Sequence, residues 1–165
     1  MRVPFVDLKR EADFCFDQLV ESFAQVIKSG NYINGPSVNS LEIKVSHYLG
    51  VQHCVSVGNG SDALVFILRA LGIGEGDEVI CPGNSFIATS WAIHAVGATP
   101  IFCDVGEDLL FFLDSFYSKV SSKTKAFIPV HLTGRVADIE SVHSFCAERT
   151  IHIIEDAAQS FGALD

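Results

Sequence analysis

An α/β fold, with a mostly parallel sheet held between two helical layers as a three-layer sandwich, is predicted by three observations on this 165-residue sequence. Short, nearly continuous apolar runs alternate with helical patterns, and such runs suit strands buried on both faces. Several helical patterns end in glycine. Helical patterns also follow apolar runs, so strand-helix-strand crossovers are the natural assembly.

The elements follow in order. Ala12, Phe16, Leu19, Val20, Phe23 and Ile27 fall on one helical face, and Gly30 can end that helix in the left-handed conformation. Gly50, Gly72 and Gly97 are expected to close three later helices likewise. Strands are expected at residues 54–57, 78–81, 99–105, 125–132 and 151–155, with helices at 61–71, 85–96 and 138–148. No low-complexity stretch, repeat or linker divides the sequence, so residues 1–165 are read as one unit with one core.

Composition narrows the function. Apolar residues make up 48% and charged residues 19%, far from the composition of disordered chains. A formal charge of −9 would repel nucleic acid and anionic lipid, so neither is expected as a partner. Residues 79–103 carry no charge, but Pro82, Gly83, Asn84, Gly97 and Pro100 interrupt them, favouring strand, helix and strand over a membrane span. The start Met1-Arg2-Val3-Pro4 lacks a secretory pattern. Five cysteines without metal-site spacing read as free thiols, which suits a cytoplasmic protein. The histidines show no metal-ligand spacing either.

In open parallel sheets, ligands gather outside the carboxyl ends of the strands. There the first run meets Gly58-Asn59-Gly60-Ser61-Asp62-Ala63, a glycine turn feeding a helix whose first amides can hold a phosphate. It fits the G-x-G-x-x-A form of the dinucleotide fingerprint. That reading needs an acid closing the second strand, where Cys81-Pro82-Gly83-Asn84 stands instead; Asp77 and Glu78 open that strand. Ser61 could equally be a helix cap. The last run ends in Glu155-Asp156-Ala157-Ala158-Gln159. No P-loop accompanies these acids, which speaks against magnesium nucleotide hydrolysis. Asp156 is either a surface acid ending a strand or the group that holds a proton on a cofactor's ring nitrogen, as pyridoxal phosphate requires.

Read together, Pro4-Phe5-Val6-Asp7-Leu8, Ser29-Gly30 with Gly35-Pro36, Gly60-Ser61-Asp62-Ala63-Leu64, Gly76-Asp77-Glu78-Val79-Ile80, Ser85-Phe86-Ile87-Ala88-Thr89, Val130-His131-Leu132 and Glu155-Asp156-Ala157-Ala158-Gln159 resemble, in order and spacing, the sugar aminotransferases of the DegT/DnrJ/EryC1/StrS family. The resemblance implies part of the large domain of the type I pyridoxal-phosphate fold. It implies that Gly60, Ser61 and Asp62 hold the phosphate of pyridoxal 5'-phosphate, with Ser61 where threonine is commoner. Phe86 would cover the pyridine ring, Asp156 would pair with the ring nitrogen, Gln159 would approach the ring oxygen, and His131 would lie beside the ring.

The same resemblance implies amino-group transfer from glutamate or glutamine to a keto sugar carried on a nucleotide, by a homodimer. The alternatives are a sugar dehydratase of the same family, in which histidine replaces the cofactor-bonding lysine, and a truncated protein that binds cofactor or a partner without turnover. The family's lysine falls beyond residue 165, and none of Lys9, Lys28, Lys44, Lys119, Lys123 and Lys125 matches its motif. The chain is therefore expected to be the first part of a longer enzyme's cofactor domain, inactive and prone to association alone.

Overall fold

The computed structural model describes residues 3–163. Its internal contacts divide the chain into two compact units, Met1–Ser56 and Val57–Asp165. Nothing in the composition around residue 56 marks this division, and the sequence reading placed no boundary there.

The first unit holds α1 (Leu8–Ser29) and α2 (Pro36–Leu49). Asp7 caps α1 by accepting from the Arg10 amide, and Gly30 ends it at φ 67°. Pro36 begins α2, where its missing N–H costs nothing. Neither helix buries a residue. The predicted apolar face of α1 exists as a face, but Phe16 and Phe23 on it are exposed.

The second unit carries the core. It runs α3 (Gly60–Ala70), β1 (Glu78–Pro82), α4 (Ile87–Ala95), β2 (Thr99–Cys103), α5 (Leu113–Lys119), β3 (Thr124–Phe127), α6 (Glu140–Glu148) and β4 (His152–Ile153), with a 3₁₀ turn at Leu132–Gly134. The four strands form one sheet in the order β2-β1-β3-β4, every pairing parallel. Alternate side chains feed two clusters. Val79, Cys81 and Ala126 pack with Leu64, Leu68, Ala92 and Ile93 from α3 and α4. Ile80, Phe127 and Cys103 point the other way, onto Phe116 of α5 and Val142 and Cys146 of α6. Burial on both faces is why the central strand β1 reads as an unbroken apolar run, whereas β2, β3 and β4 each expose a residue, at Phe102, Lys125 and His152.

Three glycines end helices as the sequence predicts, and by one device. The amides of Gly50, Gly72 and Gly97 bond back to His47, Arg69 and His94, and those of Val51, Ile73 and Ala98 reach one residue further back, to Ser46, Leu68 and Ile93. This is the Schellman arrangement, made possible by φ of 67°, 72° and 87° at the glycines.

Four expectations are corrected. Residues 54–57 form no strand: their apolar, β-branched composition suits a ladder, but no described strand pairs with them, the Ser56 amide donates to the Glu42 side chain instead, and Val55 is exposed. The helix α3 therefore follows an unpaired segment. The run 125–132 stops pairing continuously at Phe127, since Pro129 has no N–H to give; Val130 returns only as an isolated bridge to Asp156. The run 99–105 ends at Cys103, and Val105 pairs antiparallel with Phe111 instead. The run 151–155 contributes only His152–Ile153. One helix, α5, was not expected; its seven residues are too few for a periodic signal.

Burial also separates the thiols. Cys81 is pushed up to about 12 by burial and then by neighbouring Cys103, and Cys103 to about 11 by burial. Cys146 is raised too, again chiefly by burial. Native alkylation at neutral pH should modify half-buried Cys15 and Cys54 and spare these three, as peptide mass mapping would show. Because the folded thiols of Cys81 and Cys103 stay protonated after the unfolded ones ionise, their contribution to stability is complete below about pH 9 and is lost as pH rises towards 11 to 12. Thermal melts over that range should show the decline.

Candidate functional site

The strand order locates the crevice. From β1 the chain passes through α4 to β2 on one side, then crosses to β3 and β4 on the other. The helices after β1 and β3 cover opposite faces. Their carboxyl ends therefore diverge, and this switch point is where open α/β sheets bind ligands. The residues there are Gly83 to Phe86 after β1, Val130 and His131 after β3, and Asp156 beyond β4. Asp77 and Glu78 sit at the opposite end, folded onto Gly74 and Ser121.

Asp156 is fixed by its own backbone. Its N–H donates to Pro129 at 2.9 Å, and its carbonyl accepts from the His131 amide at 3.0 Å, forming the Val130 bridge. Its side chain is half-buried; Oδ1 accepts from the Ala158 amide at 3.2 Å and Oδ2 from the Thr89 hydroxyl at 3.3 Å. Thr89 lies in α4, so this bond crosses the switch point.

Phe86, immediately before α4, is 73% exposed, and an aromatic ring left so open at a sheet's carboxyl edge offers a flat apolar face to a ligand. It lines a cavity of about 160 Å³ with Pro82, Ser85, Thr89 and Phe102. Gln159 is exposed, and its Oε1 accepts from the Thr133 amide at 2.8 Å. That contact engages Oε1 and leaves Nε2 able to donate. Thr133 itself is held in the left-handed region, φ 58°, an uncommon state for threonine.

At the start of α3 the cap is Asn59, not Ser61. Its Oδ1 accepts from the Asp62 amide at 2.9 Å, and its Nδ2 donates to the Asp62 carboxylate at 3.0 Å. The Asp62 amide is thus already used. The amides of Gly60 and Ser61 and the Ser61 hydroxyl have no partner among the described residues. Three unengaged donors at a helix N-terminus suit a phosphate dianion.

His131, expected beside the ring, is held by its protein neighbours on both nitrogens. It is 4% exposed, its Nδ1 accepts from the Ala137 amide at 2.9 Å, and its Nε2 lies 2.9 Å from Glu155 Oε2. With Nδ1 accepting, the proton of the neutral ring is on Nε2, which donates to Glu155. Both ring nitrogens are spent within the protein. The structure thus joins Asp156 to Thr89 and, through Ser85, to the segment carrying Phe86, whereas no hydrogen bond ties Gly60 or Ser61 to Asp156, and the cavity beside Phe86 includes neither Asp156 nor Gln159. Sequence reasoning missed the Ser85–Thr89 pair and the Glu155 partner of His131. The available signal was the uncharged stretch around them, in which Ser85 and Thr89 stand one helical turn apart. Among the described residues no group of three or more His, Cys, Asp or Glu could hold a metal, and no helix is long and apolar enough to cross a membrane.

The model of the DegT/DnrJ/EryC1/StrS aminotransferase family matches residues 16–165. The chain is 38% identical, over 98% of its length, to UDP-2-acetamido-2-deoxy-3-oxo-D-glucuronate aminotransferase of Pseudomonas aeruginosa, of which it covers 45%. It is 39% identical, again over 98% of its length, to dTDP-3-amino-3,4,6-trideoxy-alpha-D-glucose transaminase of Streptomyces venezuelae, covering 43%. The crystal structure of Streptomyces venezuelae DesV superposes with a TM-score of 0.95 at 38% identity, over 98% of this chain and 44% of that one. The structure of NtdA from Bacillus subtilis, which has the cofactor PMP bound, superposes with a TM-score of 0.94 at 31% identity, over 99% of this chain and 38% of that one. The chain spans less than half the length of the relatives it matches.

Proposed function

Because this chain belongs to the DegT/DnrJ/EryC1/StrS aminotransferase family, we propose that it forms the cofactor-facing part of an enzyme that transfers an amino group to a keto sugar carried on a nucleotide. The substrate class is taken from the relatives, which are named for UDP- and dTDP-linked sugars. The observation that carries the reading is the carboxylate of Asp156, held at the switch point by two donors and still able to accept a third.

The residues present fit pyridoxal 5'-phosphate by their chemistry. Gly60 and Ser61 offer the free donors its phosphate needs, Phe86 the apolar face its ring needs, and Asp156 the anion its ring nitrogen needs. Asp62 contributes by bracing the turn rather than by its amide, which Asn59 holds. When bound, the cofactor supplies an electron sink for the charge left as the amine donor loses its α-proton. Asp156 keeps a proton on the ring nitrogen by a charge-assisted hydrogen bond. Gln159, its Oε1 engaged by the Thr133 amide, would use Nε2 to donate to a ring oxygen. Phe86 excludes water from one ring face.

The test uses the full-length enzyme with ¹⁵N-glutamate and UDP- or dTDP-linked 3-keto sugars. Label should appear in the sugar, measured by mass spectrometry, and borohydride should bleach the protein's yellow colour. A full-length protein that is colourless with added pyridoxal 5'-phosphate and passes no label defeats the reading.

A further inference from the structure

Thr89 sits in the first turn of α4 and is 1% exposed, yet it carries a hydroxyl. A buried hydroxyl persists only with partners, and Thr89 has two: Ser85 Oγ at 2.8 Å and Asp156 Oδ2 at 3.3 Å. Proton counting gives the pair a direction. A carboxylate oxygen can only accept, so the single Thr89 proton points to Asp156. The bond between the hydroxyls must then be donated by Ser85. The chain runs Ser85 to Thr89 to Asp156, each hydroxyl accepting behind and donating ahead.

Both Asp156 oxygens are therefore restrained before any ligand arrives. Oδ1 is tied to the adjacent Ala158 amide, a contact within its own loop. Oδ2 is tied across the switch point to a different element, α4, which is packed into the core through Ala92 and Ile93. Only the second bond sets the carboxylate's rotation against the rest of the sheet. It also couples that rotation to residue 85, next to the ring-facing candidate Phe86.

We infer that Thr89 is a positioning residue: its buried hydroxyl, supplied by Ser85, fixes the rotation at which the Asp156 carboxylate meets the cofactor's ring nitrogen. The inference rests on assigning Asp156 to that nitrogen. Losing one hydrogen bond to a charged group is a tenfold or larger effect, and rotational misplacement is felt in the chemical step rather than in distant substrate contacts.

The experiment compares Thr89→Val, Thr89→Ser and Asp156→Asn in the full-length holoenzyme. The readouts are kcat and the sugar KM, the dissociation constant of pyridoxal 5'-phosphate from the apoenzyme by absorbance, and the apoenzyme melting temperature. Thr89→Val, nearly isosteric, should weaken cofactor binding and lower kcat by about ten- to thirtyfold each, with the sugar KM and apoenzyme melting temperature little changed. Thr89→Ser, which restores the donor, should recover to within about threefold of the parent. In the Asp156→Asn background, Thr89→Val should add less than about twofold, because the carboxylate whose rotation the Thr89 hydroxyl sets is already gone.

Parental kcat and cofactor affinity in Thr89→Val, with Asp156→Asn crippled, overturn the positioning role alone. A melting temperature that falls in Thr89→Val and Thr89→Ser alike, with no recovery by serine, also overturns it, since that marks a packing role. Near-normal turnover in Asp156→Asn overturns the ring-nitrogen assignment itself.

Discussion

In the full-length enzyme, with Asp156 in the role proposed for it, Asp156→Ala should lower kcat by about a hundred- to a thousandfold and leave the fold intact. Removing one preorganised electrostatic partner from a reacting centre costs on that order. The charge-assisted hydrogen bond alone accounts for about 1.5 to 3 kcal/mol, or about ten- to a hundredfold. On the proposed pairing, the rest would come from the cofactor's ring nitrogen, which without an anion beside it would hold its proton less firmly and draw off less charge. The fold survives because the contacts that tie this residue to the sheet are main-chain: its N–H to Pro129 and its carbonyl from His131 persist in alanine. The side chain gives up only its bonds from Thr89 and Ala158. Steady-state turnover should collapse while the melting temperature moves by a few degrees. Turnover near the parental rate removes Asp156 from the mechanism.

The legibility of this chain follows the range of the forces involved. Helix closure at Gly50, Gly72 and Gly97 is local: one residue free to adopt positive φ and one apolar residue after it decide the geometry, so the sequence shows it. The strand at Glu78–Pro82 is legible because Val79 to Pro82 are buried and the apolar run is unbroken; Thr99–Cys103, at the sheet edge with Phe102 exposed, is legible from its apolar run alone. Residues 54–57 carry the same composition yet form no ladder, since a strand is a property of two segments, and the second cannot be read from the first. The candidate site divides the same way. Glycines before a helix and an acid after an apolar run point to donors and a carboxylate. That Asn59 consumes the Asp62 amide, or that His131 spends both ring nitrogens on Ala137 and Glu155, depends on side-chain rotations that no spacing encodes. The Thr89 to Asp156 bond joins residues 67 positions apart and arises only from the strand order.

Gly60→Pro separates binding from folding more cleanly than any substitution that deletes a side chain. Gly60 is the first residue of α3, a position proline favours because the N–H there has no helical partner. A β-carbon at Gly60 meets nothing within 4 Å, and the preceding Asn59 is extended, φ −167° and ψ 174°, as a residue before proline must be. The Asn59 cap onto Asp62 does not involve the altered amide. The apoenzyme should therefore melt at or slightly above the parental temperature, since proline at a compatible site stabilises by about 0.4 to 1 kcal/mol through the unfolded chain. The cofactor meets the opposite effect. One of three free donors is gone, and the pyrrolidine ring stands where a phosphate oxygen would approach the backbone. Loss of a hydrogen bond to a charged group weakens affinity by about ten- to a hundredfold, and the steric term adds to it. Excess pyridoxal 5'-phosphate should restore much of kcat, because Asp156, Thr89 and Phe86 are untouched; in Asp156→Ala no concentration should. A Gly60→Pro enzyme that holds the cofactor as tightly as the parent would place the phosphate away from the start of α3, and the two ends of the proposed site would have to be assigned to different ligands.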